Sequence, residues 1–199
     1  MASDDELRDA MARAMQGFAA VVADLTDGDW VQPSMCEGWT IRDVVEHVIG
    51  GDRFAPIILG GGTLDEAIAA VVGVDLLGDD ARSSLADAAG ATREAFAGSL
   101  DRTVDHPVGE IPARRFIGFR VFDQLGHTWD VAAALDRPIV LDPAALAVAL
   151  EVAEAEHDML ESSTHFAPPP PVDVEIDDPQ TTFLHTIGRT PRRNDDHHP

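Results

Sequence analysis

The chain has 199 residues, 45% of them apolar, enough to bury one substantial core and too many for disorder throughout. Fourteen basic residues against thirty-six acidic ones give a formal charge of −22, which repels nucleic-acid phosphates and anionic lipid head groups over about 8 Å and makes both poor partners. An apolar set rich in Ala and Val, no tyrosine, and Gly and Pro gathered into connections point to an all-α chain rather than a β protein.

The first element is a helix over about 4–25, with Leu7, Ala10, Met11, Ala14, Phe18, Val21, Val22 and Leu25 recurring at steps of three and four. With charges every few positions there, no secretory signal is expected. The loop TDGDWVQPSMCEGW follows, and its two tryptophans predict an ordered, packed segment. Thr40 and Asp43 form a capping pair that opens a second helix, which runs to Gly60-Gly61-Gly62 with a bend or loosening expected at Gly50-Gly51 and Pro56. Residues 63–78 read as a short irregular helical piece. Gly73 and Asp75 break its apolar run, so no segment reaches the roughly 20 apolar residues of a membrane span. A soluble, cytoplasmic protein without a membrane partner is expected, and the single Cys36 fits a reducing compartment.

Asp79 and Asp80 offer N-caps for a helix over about 80–100, and RTVDHPVGEIPAR is a connection with a short extended piece. A long helix follows at about 113–135, and Asp142-Pro143 opens another that reaches about Glu161. The proline-rich stretch 164–178 is extended or a loop, residues 178–189 permit a short closing helix, and 191–199 read as a mobile tail. Residues 1–190 are expected to form a single domain. His197-His198 in the tail make a weak metal site at best, and His106, His157, His165 and His185 read as ordinary surface or hydrogen-bonded histidines.

On the 113–135 helix, Asp123 and His127 stand four apart and therefore share a face, on a strip that otherwise looks like core. A buried carboxylate beside an imidazole needs a partner, which a divalent metal or a plain Asp–His hydrogen bond supplies. On this helix alone the plain pair is the more economical reading. His47, on a strip with Val44, Gly51, Phe54 and Ile58, points toward packed neighbours with room left by Gly51, and is the best third ligand; its plainer reading is a core histidine bonded to a carbonyl. Two histidines and one carboxylate leave positions open for water or substrate, and suit Zn²⁺ first, with Ni²⁺, Fe²⁺ and Mn²⁺ also tolerated. Asp130 either orients an imidazole from behind or faces solvent. Cys36 beside a helix start reads first as packed rather than reactive, as do Trp30, Trp39 and Trp129.

WVQPSMCEGWTIRDVVEHVIGGDR, residues 30–53, resembles the N-terminal signature of actinobacterial DinB-like, maleylpyruvate-isomerase-like proteins. DQLGHTWDVAAAL, residues 123–135, resembles that family's second metal motif, and FAPPPPVDVEIDDPQTTFLHTIGRTP, residues 166–191, is similar to the C-terminal end of an actinobacterial metal-binding branch. The resemblance covers nearly the whole chain. It implies a four-helix bundle with an additional C-terminal helix and an extended proline-rich segment, and a metal held between helices by His47, Asp123 and His127. In that signature the place of Cys36 looks structural. Asp123 stands where the isomerase has a glutamate, Asp136 where many relatives have Gly, and no motif for mycothiol is legible in the sequence.

The function so implied is a divalent-metal protein whose ion binds a small thiol of the mycothiol type and presents it to a small electrophile, as a thiol transferase or isomerase. A hydrolytic variant would need Glu46 or Asp130 as its base. The alternative is a non-catalytic, metal-dependent small-molecule-binding or stress-response module; a third reading is a helical protein without metal. Homodimers are common among such bundles, although no seam is legible here.

Overall fold

The computed structural model describes residues 2–162 and 178–190, so the proline-rich stretch with His165 and the tail with His197 and His198 lie outside the described residues. The helices are α1 (Asp4–Ala23), α2 (Ile41–Leu59), α3 (Leu64–Ala69), α4 (Ala81–Ala95), α5 (Ala113–Ala134), α6 (Pro143–Ala155), α7 (His157–Ser162) and α8 (Pro179–Thr186). Strands β1 (Thr103–Val104) and β2 (Ile111–Pro112) pair antiparallel in the connection before α5. The all-α expectation holds.

Local chemistry sets most boundaries. Ser3 with Glu6, Thr40 with Asp43 and Thr63 with Glu66 form reciprocal capping boxes at the starts of α1, α2 and α3. Asp80, Asp142 and Asp178 cap α4, α6 and α8, the last two followed by a proline whose fixed φ suits the first turn. The α4 helix ends at Ala95, short of the expected 100, where the buried Phe96 caps it and Gly98-Ser99 has little propensity to continue. At the end of α5 the amides of Asp136 and Arg137 donate back to Ala133 and Ala132 at 3.1 and 2.9 Å. Asp136 itself holds φ at 52°. The left-handed turn that suits Gly is therefore kept with an aspartate in it.

Helix α2 runs unbroken through Gly50, Gly51 and Pro56. Pro56 has no N–H for the carbonyl of Asp52, and the hydroxyl of Thr92 on α4 donates to that oxygen instead, at 2.5 Å. The vacancy that predicted a loosening is filled from a neighbouring helix.

The bundle places α1 against α4 and α5, and α2 against α4 and α5; α6 covers α1 and α5, and α8 lies on α6. Around one part of it Met11, Phe96, Phe116, Ile117, Leu125, Phe183 and Leu184 form a core, and around the other Phe18, Ile41, Val45, Ile49, Leu77 and Leu85. Among the described residues no helix is long and apolar enough to cross a membrane.

Candidate metal centre

His47 comes from the middle of α2, and Asp123 and His127 come from successive turns of α5, which packs beside it. Asp123 Oδ1 lies 3.1 Å from His47 Nε2 and 3.4 Å from His127 Nε2. One ligand atom from each of the three residues falls within 4.8 Å of the others. Expected partners from two helices therefore meet at one point. His47 does not point into the core as its strip predicts: its side chain is 43% exposed, against 13% for His127, so it forms the rim of the site. The space beside Gly51 belongs to another residue.

That residue is Arg120, one turn before Asp123 and buried. Its guanidinium donates to Asp123 Oδ2 at 2.8 Å, to Asp52 Oδ1 at 2.8 Å and to the Val48 carbonyl at 3.3 Å. Gln124 Nε2 holds both oxygens of Asp52 at 3.1 Å. Asp123 thus has one oxygen committed to Arg120 and the other turned to the two imidazoles. Burial works against the charge on Asp123, yet His47, His127 and Arg120 together hold its carboxyl well below the usual range. For Asp52 burial prevails and raises its pKa, despite Arg120.

His127 is gripped on its other side. Its Nδ1 lies 3.0 Å from Asp130 Oδ2, and Asp130 is fully buried. Asp130 orients an imidazole; it does not face solvent. Burial disfavours the charged ring, but Asp123, Asp130 and Cys36 outweigh it and push the His127 pKa well above its ordinary value. Asp130 in turn is lowered, burial being outweighed by His127 and Arg189. Arg189, just past α8, donates from Nε and Nη2 to the two oxygens of Asp130, each at 2.9 Å. Cys36 Sγ donates to Asp130 at 3.2 Å and accepts from Arg189 at 3.3 Å. Cys36 is packed, as expected, but it is packed against the site.

Trp39 closes one side. Its ring lies 5.2 Å from that of His47 and stacks on that of His127 at 6.4 Å between centroids. An open pocket of about 300 Å³ adjoins it, lined by Ser34, Cys36, Glu37 and Trp39 among others. A concavity of about 330 Å³ near the start of α1, lined by Glu6, Asp9 and Glu151 among others, holds no imidazole or thiol.

The remaining histidines differ from one another. His157 is exposed on α7. His185 is neither a surface nor a hydrogen-bonded residue at Nδ1, which is buried without a hydrogen-bond partner among the described residues. His106 packs edge-on against Phe54 and Phe116 and beside Phe119, and burial, aided by the charges of Arg115 and Arg120, pushes its pKa down to about 4. Sequence reasoning missed Arg120 and Arg189. An arginine one turn before the Asp123–His127 pair, set among Phe116, Phe119 and Val121, marks the first; nothing local marks the second.

Residues 11–132 match the family model described as the mycothiol maleylpyruvate isomerase N-terminal domain. An uncharacterized protein of Mycobacterium tuberculosis, found in two strains, is 34% identical over 136 residues, covering 67% of this chain and 70% of its own length. No solved structure matches. The family match takes in His47, Asp123, His127 and Asp130, while α6, α7, α8 and Arg189 lie beyond it.

Proposed function

Because this chain belongs to the family of the mycothiol maleylpyruvate isomerase N-terminal domain, we propose that it holds a divalent metal at His47, Asp123 and His127 and uses it on a small thiol of the mycothiol type, as a transferase or isomerase acting on a small electrophile. The observation that carries the reading is the convergence of two imidazole nitrogens and one carboxylate oxygen within 4.8 Å. The donor set fits a reactive rather than a structural ion, because three protein ligands leave coordination positions open. Zn²⁺ is the first choice, with Ni²⁺, Fe²⁺ and Mn²⁺ compatible. When bound, such an ion supplies Lewis acidity that favours a thiolate over its thiol near neutral pH.

The protein's own groups prepare that position. Arg120 occupies Oδ2 of Asp123 and leaves Oδ1 facing the two imidazoles, and Asp130 occupies Nδ1 of His127 and leaves Nε2 facing Asp123. Trp39 shields one flank, and the pocket beside it gives a small molecule somewhere to lie.

One observation weighs against the hydrolytic variant and leaves the thiol enzyme and the non-catalytic module. Neither carboxylate that hydrolysis would need is uncommitted: Glu46 pairs with Arg42 at 3.1 Å, and Asp130 is buried under Arg189. The two readings separate by measurement. The chain carrying His197→Ser and His198→Ser is purified beside the same protein with His47→Ala or His127→Ala, and bound metal is measured by mass spectrometry. Near-stoichiometric metal, lost in both variants, supports the site; equal trace metal in all three rejects it. Thiol-dependent turnover of electrophiles that stops on chelation then marks the enzyme, and metal-dependent melting without turnover marks the module.

A further inference from the structure

We propose that Arg189 is a positioning residue for the candidate metal centre, through which the C-terminal helix α8 sets the orientation of the His127 ring. The proposal rests on His127 being a ligand, and it concerns a segment beyond the matched residues 11–132.

Arg189 is itself well placed. Phe183, Leu184 and Ile187 are buried at 0–1% exposure and fasten α8 to the core. The chain then turns at Gly188, whose φ is +70°, and the Arg189 amide donates back to the Leu184 carbonyl at 2.8 Å. The approach to α5 is close, since a methyl group added at Gly126 would stand 3.2 Å from Ile187 Cδ1. The Arg189 side chain has a further fixed point, Nη1 donating to the Ile187 carbonyl at 3.0 Å.

From there the guanidinium meets both oxygens of Asp130 in a two-pronged pair. Such a fork fixes the plane of a carboxylate, which a single point charge does not. Asp130 Oδ2 is the oxygen that holds His127 Nδ1 at 3.0 Å. Arg189 therefore acts on the ring at one remove: with the carboxylate plane set, the imidazole presents Nε2 toward Asp123 and His47. Outer partners of this kind change metal affinity by roughly 10–100-fold when removed. The same fork spans to Cys36, so the loop before α2, the ligand helix α5 and the C-terminal segment meet at one carboxylate.

The test uses the full chain with Arg189→Met and Arg189→Lys. Co²⁺ affinity is measured by competition with a chromophoric chelator, and the His127 Nδ1 proton is followed as a downfield resonance in the metal-free protein. In wild type that proton is expected to be sharp and slow to exchange. In Arg189→Met it broadens or vanishes, and Co²⁺ affinity falls about 10–100-fold with a changed visible spectrum. Arg189→Lys keeps the charge without the fork, so it is expected to stay folded, yet to bind Co²⁺ several-fold more weakly than wild type and to show the same loss of the Nδ1 signal. Unchanged affinity and an unchanged Nδ1 signal in a folded variant, Lys alone if Met unfolds, overturn the proposal. Should wild type bind no metal while the Nδ1 signal is still lost in the variants, the metal reading falls and the positioning of His127 by Arg189 stands.

Discussion

The Thr92 hydroxyl donates to the Asp52 carbonyl at 2.5 Å, replacing the amide that Pro56 lacks. Both groups are buried, so the bond cannot be exchanged for one to water. Thr92→Val keeps the shape of the side chain and removes the donor, which is expected to lower the unfolding free energy by about 1–3 kcal/mol. Pro56→Ala restores the helical amide. In that background the cost of Thr92→Val should shrink, and urea denaturation of the four proteins reads the coupling. Equal costs in both backgrounds would disprove the link.

Gly51 leaves the room that Arg120 fills. A Cβ at residue 51 would overlap the Arg120 guanidinium, which is the far end of a long side chain yet has little freedom to give way because Asp52 and Asp123 hold it. Gly51→Ala is expected to destabilise the metal-free protein by about 1–3 kcal/mol, the range for overpacking. It should also disturb Asp123, so affinity for the proposed metal falls along with stability. A variant of wild-type stability and wild-type metal content would show that Arg120 has another place to go.

The site was legible in the sequence as far as local spacing carries. Asp123 and His127 sit on one helical face, and Thr40 with Asp43 marks where α2 starts. Spacing failed where burial depends on the neighbour. The helical pattern places His47 on a packed strip, but at this point of the bundle the strip reaches the rim. Gly51 does leave space, but for a residue 69 positions later, which no local window connects to it. Arg189 and Asp130 are 59 apart in sequence, and Cys36 and Asp130 are 94 apart. Helical periodicity reports a face and a partner one turn away; it carries no information on which distant charge neutralises a buried carboxylate.

His106 should make the protein acid-sensitive. In the unfolded chain its imidazole takes a proton near the ordinary value of 6.5, whereas in the folded protein burial holds that event down to about 4. Between those values the unfolded state binds more protons, so stability falls as pH drops from 6.5 toward 4, with a slope no steeper than about 1.4 kcal/mol per pH unit from this group. His106→Phe, placed among Phe54, Phe116 and Phe119, removes the titration. Its stability should decline less steeply over that window than wild type does, as measured by urea midpoints at half-unit intervals. Parallel curves would assign the acid sensitivity to other groups.

Trp39 offers a direct optical view of the proposed ion, because its ring lies against both imidazoles, 5.2 and 6.4 Å away between centroids. Ions with a partly filled d shell, such as Co²⁺ and Ni²⁺, quench an indole at this range, whereas Zn²⁺ has a filled shell and lacks those low-lying states. Addition of Co²⁺ is therefore expected to extinguish a saturable part of the tryptophan emission, and Zn²⁺ added first should protect it. Trp39→Phe should abolish most of that quenching while retaining the ion, because aromatic cover remains over His127. His47→Ala should abolish it by losing the ion. Quenching that survives in His47→Ala would place the metal elsewhere, and quenching undiminished in Trp39→Phe would mean that Trp30 or Trp129 reports on it instead.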